Sequence, residues 1–206
     1  KIYITGNTVI DALFMTLKLK CDFDNSFLKN FEFNKKKIIL VTVHRRENWG
    51  MPLQNICKAL KIIVSKLKDA EVIFPVHYNP VVRNTVQSIL KDEPKIHLID
   101  PLKYQSFVNL MNKSYLILTD SGGVQEEAPS LGKPVLVLRK ITERPEAVQS
   151  GTVKIVGDNT NIIVKETIKL LTSKIEYQKM SCPINPYGDG KAASKIVKII
   201  INAMGQ

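Results

Sequence analysis

The chain has 206 residues, 44% of them hydrophobic and 24% charged, an ordinary globular balance with enough apolar material for a sizeable core. No run approaches the roughly 18 apolar residues that a membrane-spanning helix needs. The formal net charge of +11 would suit a polyanionic partner, but the lysines are scattered over predicted helix faces (Lys58, Lys61, Lys66, Lys68; Lys165, Lys169, Lys174) without interleaved aromatics, which argues against nucleic acid.

The chain opens Lys1-Ile2-Tyr3-Ile4, with no initiating Met and no signal-peptide pattern, as a fragment excised from a longer protein would. Residues 1–36 read as an arm: a short apolar piece at 2–4, a helix over 8–19, then a polar connection ending Asn34-Lys35-Lys36. From Lys37 strand and helix alternate. A strand over 37–43 precedes a helix over 52–67, whose Leu53, Ile56, Cys57, Leu60, Ile63, Val64 and Leu67 hold one 3.6-residue stripe, with Pro52 near its first position. Strands over 71–76 and 96–99 follow, with helices over 81–90 and 104–112. A strand over 115–119, a short helix over 124–128, a strand over 134–138, a helix over 143–150, a strand over 152–156 and a helix over 161–171 complete the run. After a loop over 183–190, a tail helix places Ala193, Ile196, Val197 and Ile200 on one side. Such alternation predicts an α/β fold, a doubly wound, Rossmann-like parallel sheet with helices on both faces.

The stretch 115–131, YLILTDSGGVQEEAPSL, carries the strongest local signal. An apolar strand ends at Asp120 and Ser121, two glycines make a tight turn, and a helix begins. Strand, glycine turn and helix form a phosphate cradle: Gly122 and Gly123 allow close backbone approach, the free N–H groups of the helix start face an anion, and the Ser121 hydroxyl adds a donor. Glu126 and Glu127 point about 100° apart, so they cannot face one ligand together. One reads as a solvated complement to the helix dipole, the other as an acceptor for ribose hydroxyls. The plainer alternative is an ordinary strand-to-helix turn with both carboxylates serving the dipole.

Ligands of open parallel sheets sit beyond the carboxyl ends of the strands. There the sequence places His44-Arg45-Arg46-Glu47-Asn48, His77, Asp100-Pro101, Asp120-Ser121-Gly122-Gly123 and the basic segment 139–144, a rim rich in groups that suit an anion. A histidine directly after a strand binds phosphate, moves protons, or merely caps the strand. His44, followed by two arginines, fits the first two roles; His77 fits either kind, and His97, inside a strand, fits packing. Arg144 serves an anion or a surface ion pair, and Phe107 falls on the buried stripe of its helix with Val108 and Met111. Cys21, Cys57 and Cys182 lie far apart, odd in number and without C-x-x-C spacing, and no histidine pair has H-x-x-x-H spacing. Together these predict a reducing cytoplasm and no metal site.

These residues carry a resemblance over nearly the whole chain. VTVHRRENWGMPLQNI, FPVHYNP, IHLIDPLKYQSFVNLM, DSGGVQEEAPSLGKPVLVLR, TERPEAV, GTVKIVG and NPYGDGKAA resemble, in order, motifs of the non-hydrolysing UDP-N-acetylglucosamine 2-epimerases. That family has two domains in a glycosyltransferase-B-like architecture, and the chain is similar to the second, nucleotide-binding one. The resemblance implies that residues 37–206 form the UDP-binding domain with its C-terminal helix, that 1–36 are a hinge from the end of an absent first domain, and that the full-length enzyme is a homodimer. It implies interconversion of UDP-N-acetylglucosamine and UDP-N-acetylmannosamine by elimination and re-addition of UDP, with no redox cofactor and no catalytic metal. It assigns His44 to the diphosphate as a catalytic residue, Ser121, Gly122 and Gly123 to phosphate, Glu127 to ribose, Phe107 to uracil and Arg144 to the substrate pocket. Arg45 and His77 match positions that hold an allosteric second UDP-N-acetylglucosamine. Lys140-Ile141, before Thr142, depart from the family's more polar pattern. A UDP-sugar glycosyltransferase domain and a hydrolysing relative are the neighbouring alternatives, and a basic, non-catalytic interaction module is the alternative of another class.

Overall fold

The computed structural model describes residues 1–20, 22–181 and 186–205. Six strands form one all-parallel sheet: β1 (Lys37–Thr42), β2 (Ala70–Pro75), β3 (Ile96–Ile99), β4 (Leu116–Thr119), β5 (Val135–Val137) and β6 (Val153–Ile155). Their order is β3-β2-β1-β4-β5-β6. Leu40 on β1 pairs with Ile73 on one side and Ile117 on the other, so the centre of the sheet is a continuous apolar layer. Strands covered on both faces have to be apolar at successive positions, as Ile38 to Val41 are.

Helices α3 (Met51–Lys66), α4 (Pro80–Leu90) and α8 (Thr160–Thr172) bury one face with Ile39, Val41, Val72, Phe74, Leu116, Leu118 and Leu136. On the other face lie α1 (Thr8–Lys18), α5 (Tyr104–Lys113), α6 (Gly122–Glu127) and α7 (Pro145–Gln149), against Ile38, Leu40, Ile73, Ile117, Val135 and Val137. Alternate residues of each strand thus serve opposite cores. The α3 stripe is buried as its periodicity predicts, and Asn79 and Asn159 cap α4 and α8 with side-chain oxygens.

Several local expectations are corrected. The connection after α1 is not simply polar: it contains α2 (Ser26–Lys29), and Phe23, Phe27, Phe31 and Phe33 form an aromatic cluster that encloses His97. Phe23, Phe27 and Phe31 are four residues apart, but their contact with His97 of β3 arises only once the segment folds over that strand. Helix α9 (Lys174–Met180) also went unforeseen: none of its residues is fully buried, and it is held by Tyr177, stacked on Tyr115 at 4.1 Å, and by a half-buried Met180. Helix α10 (Ala192–Met204) turns a different side inward: Ala192 is buried, whereas Val197, Ile200, Ile201 and Met204 are exposed. Asp11 of α1 fixes that orientation by accepting from Ala192 N and Ala193 N, both at 3.0 Å.

Of the cysteines, Cys57 is a buried free thiol whose pKa burial pushes up to about 12; Cys21 and Cys182 lie outside the described residues, as do positions 183–185 of the loop before α10. No helix among the described residues is long and apolar enough to cross a membrane.

Candidate functional site

The strand order reverses between β1 and β4: β1 is followed outward by β2, β4 by β5. At such a switch point the connecting loops diverge to opposite faces and leave a crevice beyond the carboxyl ends. Here the crevice has a volume of about 200 Å³ and is lined by His44, His77, Leu102, Phe107, Ser121 and Val124 among others. Loops after four of the strands therefore meet in one place.

The turn from β4 into α6 differs from the predicted glycine turn. Asp120 and Ser121 make it, and Gly122 and Gly123 are already the first residues of α6, with neither at positive φ. Neither is called for by its backbone angle, and a Cβ at either would make only ordinary van der Waals contacts. A Cβ on Gly122 would stand 3.8 Å from Nη2 of Arg144 and 3.8 Å from Nη2 of Arg45, so two guanidinium groups converge on the first turn of α6. The first N–H groups of a helix lack partners within it, and the Ser121 hydroxyl is not spent on capping them. Cationic side chains and unpaired amides thus face the same small volume.

Asp120, which sequence reasoning took as a strand end on the rim without a role of its own, fixes the loop opposite. Its side chain is fully buried and accepts from His44 N (3.0 Å), Arg45 N (2.9 Å) and Asn48 Nδ2 (2.9 Å). Asn48 Nδ2 also donates to Leu138 O at 3.1 Å, which ties the loop after β1 to the end of β5. His44 Nδ1 lies 3.2 Å from the same carboxylate. That approach helps to orient the His44 ring beside the crevice. The His44 and His77 rings stack with centroids 6.0 Å apart, and His77 Nδ1 accepts from Asn79 N. The remaining signal for Asp120 and Asn48 was their place beside the strand ends.

Both carboxylates at the end of α6 are buried, contrary to the expectation that one is solvated: Glu126 is 8% and Glu127 6% exposed. Glu127 accepts from the Tyr104 hydroxyl at 2.7 Å. Burial raises its pKa above the ordinary carboxylate value, the Tyr104 bond lowers it and Glu126 raises it further. Burial, then the bond to Glu127, in turn raises the Tyr104 phenol. Glu127 is off the lining of the crevice, as are Arg45 and Arg144, which approach from its rim. Glu126 accepts from Arg144 Nε and from Asn7 Nδ2. The buried Arg139 forks onto Glu143, with bonds of 3.0 and 3.1 Å, and onto Glu47 at 2.6 Å. Those bonds, Glu143 first, hold its pKa above the usual arginine value. Arg45 reaches Glu143 at only 3.8 Å, a loose contact. Phe107 proves both half-buried against its core and exposed to the crevice, so its helical stripe and a ligand contact are compatible.

No group of three or more His, Cys, Asp or Glu among the described residues is arranged to hold a metal ion. The crevice has two histidines, a serine and one aromatic wall in its lining, with two arginines at its rim.

Comparison with known proteins agrees with that geometry. The family model described as UDP-N-acetylglucosamine 2-epimerase matches residues 1–201. A UDP-N-acetylglucosamine 2-epimerase of Campylobacter jejuni is 53% identical over 208 residues, covering 97% of this chain and 54% of the relative. The crystal structure of a UDP-N-acetylglucosamine 2-epimerase from Listeria monocytogenes, itself an inferred member, superposes with a TM-score of 0.89 at 46% identity, covering 98% of this chain and 53% of that one. The Neisseria meningitidis UDP-GlcNAc 2-epimerase, solved bound to UDP-GlcNAc, superposes with a TM-score of 0.87 at 45% identity, over 97% of this chain and 55% of that one. The chain spans about half the length of the curated relatives it matches. With the family model running nearly end to end over a sheet whose switch point carries the anion-facing groups, the chain belongs to the UDP-N-acetylglucosamine 2-epimerase family.

Proposed function

We propose that this chain is the UDP-binding half of a non-hydrolysing epimerase that interconverts UDP-N-acetylglucosamine and UDP-N-acetylmannosamine. The observation that carries the reading is the convergence of Arg45, Arg144, Ser121 and the first turn of α6 at the switch point, with His44 fixed by Asp120 across the crevice. In the proposed reaction the C1–O bond to the diphosphate breaks and its electron pair leaves with the β-phosphate oxygen. The C2 proton leaves to a base, giving a 2-acetamidoglucal, and return of the proton to the other face with re-addition of UDP gives the epimer. Negative charge grows on the departing diphosphate, so donors aimed there stabilise the transition state more than the ground state.

In this reading His44 Nε2, the Ser121 hydroxyl, the Gly122 and Gly123 amides and Arg144 hold the diphosphate. Phe107 lies against uracil and Glu127 accepts from ribose once it exchanges its Tyr104 partner or shares it. Arg45 and His77 form part of a second nucleotide-sugar site beside the first. The base for C2 belongs to a first domain outside this chain, for which residues 1–36 are the hinge, and the whole enzyme is a cytoplasmic homodimer. The half-length match to the relatives supports that division of labour.

The test is a calorimetric titration of the chain with UDP, with ADP as control. Saturable UDP binding, much weaker for ADP and lost in Glu127→Ala, is the expected result. Absence of UDP binding by both this chain and the full-length protein would overturn the reading. Salt-sensitive binding to nucleic acid with indifference to UDP would favour a basic interaction module instead.

A further inference from the structure

We infer that Glu126 is a positioning residue that ties Arg144 to the point where the two terminal segments of the chain cross. The inference rests on the reading that Arg144 serves the bound diphosphate. It concerns what sets that guanidinium in place.

The crossing is tight. Gly6 and Gly188 both have positive φ, at +91° and +139°, and a Cβ on Gly6 would stand 3.2 Å from Gly188 Cα and 3.2 Å from Tyr187 O. Only glycine accommodates both the backbone angle and the approach. Asn7 N donates to Tyr187 O at 2.6 Å, and one turn later Asp11 holds Ala192 N and Ala193 N. Segments 6–11 and 187–193 are therefore joined at three backbone amides into one unit.

Two side chains run from that unit to the neighbourhood of Arg144. Asn7 Nδ2 donates to Glu126 Oε2 at 2.7 Å, and the Tyr187 hydroxyl donates to Glu146 Oε2 at 3.3 Å, two residues beyond Arg144. Glu126 Oε1 accepts from Arg144 Nε, and Arg144 Nη1 donates to Glu143 O at 3.0 Å. A guanidinium is planar, so holding it at Nε and Nη1 fixes the plane and leaves Nη2 as the free corner. That corner is the one over Gly122. Glu126 is nearly buried and has one oxygen on the crossing and the other on the arginine, so a change at Asn7 reaches the anion site through a single carboxylate. The bond to Glu126 is also the main cause that raises the Arg144 pKa.

Asn7 has two separable jobs, because its Oδ1 caps α1 at Val9 N (3.0 Å) while its Nδ2 serves Glu126. Asn7→Asp keeps the cap and replaces the donor by a second carboxylate; Asn7→Ser keeps a capping oxygen with no like charge. The experiment measures UDP affinity and thermal unfolding for the chain and for Asn7→Asp, Asn7→Ser, Glu126→Gln, Arg144→Ala and the Asn7→Asp/Arg144→Ala pair. It also records the Nε–H resonance of Arg144 by NMR without ligand. The expected result is an unfolding temperature for Asn7→Asp close to that of the parent, UDP affinity lowered about tenfold in Asn7→Asp and Glu126→Gln, and no further loss when Asn7→Asp is added to Arg144→Ala. The Arg144 Nε–H resonance is expected to lose its protection from exchange in both single variants. Undiminished affinity and an unchanged Nε–H resonance in Asn7→Asp and Glu126→Gln would overturn the tie. So would losses that simply add to those of Arg144→Ala. If neither the parent chain nor the full-length protein binds UDP, the nucleotide reading falls, and the ligand-free Nε–H resonance still decides whether the crossing holds Arg144.

Discussion

Asp120 and Glu127 are both buried carboxylates within eight residues of each other, yet their surroundings give them opposite consequences. Asp120 accepts from two backbone amides and one side-chain amide, with the His44 ring close beside it. Asp120→Ala strands those donors in a dry site and is expected to cost about 3 kcal/mol or more, measured by urea unfolding, with Asp120→Asn costing less because its carbonyl still accepts. Glu127 has one hydroxyl donor and is raised by burial. A carboxyl whose folded pKa lies above its unfolded value contributes stability that is fully present below the unfolded value, about 4.3, and lost as pH rises through the folded value. Glu127→Gln keeps an acceptor for Tyr104 and has no charge to bury. It is therefore expected to unfold at a higher temperature than the parent near neutral pH, with the difference vanishing below about pH 4; equal unfolding temperatures at both pH values would contradict the burial argument. A buried charge retained at a stability cost is what a ligand-facing carboxylate would show.

At the scale of elements, α6 is only six residues long, too short to persist alone, and tertiary contacts hold it. Two arginines converge on its first turn at Gly122, and its last turn is buried against Tyr104 and Asn7. Helix α10 depends on another element in the same way. Lys191 supplies no side-chain cap, and Asp11, 181 residues away from Ala192, does so from α1. Asp11→Ala is expected to cost about 1 kcal/mol and to speed amide exchange at Ala192 and Ala193 while leaving the sheet amides unchanged. Exchange that rises uniformly through the sheet would show that α10 does not unfold separately.

For the whole molecule, the anion-facing groups occupy one edge of the sheet, while the proposed reaction also needs a base at C2. No such base is assigned within this chain. Incubation of the pure chain with UDP-N-acetylglucosamine, followed by NMR of the sugar protons, is expected to show no UDP-N-acetylmannosamine. Accumulation of that product would contradict the proposed division between two domains.

The sequence by itself determined the alternation of strands and helices, the parallel sheet, and the rim positions of His44, His77, Ser121 and Arg144, because each of these follows from local period, chain direction and the residue after each strand. It also determined the family, through long motifs in a fixed order. Only the tertiary structure decided that Gly122 and Gly123 are helical, that Glu126 and Glu127 are both buried, that Asp120 holds the His44 loop, and which face of α10 turns inward. Those facts depend on partners 18 to 181 residues away, such as Arg144 for Glu126, Asn48 for Asp120 and Asp11 for Ala192. No local period encodes such a pairing, since burial and hydrogen bonding at these positions arise only when distant segments are brought to the same edge of the sheet.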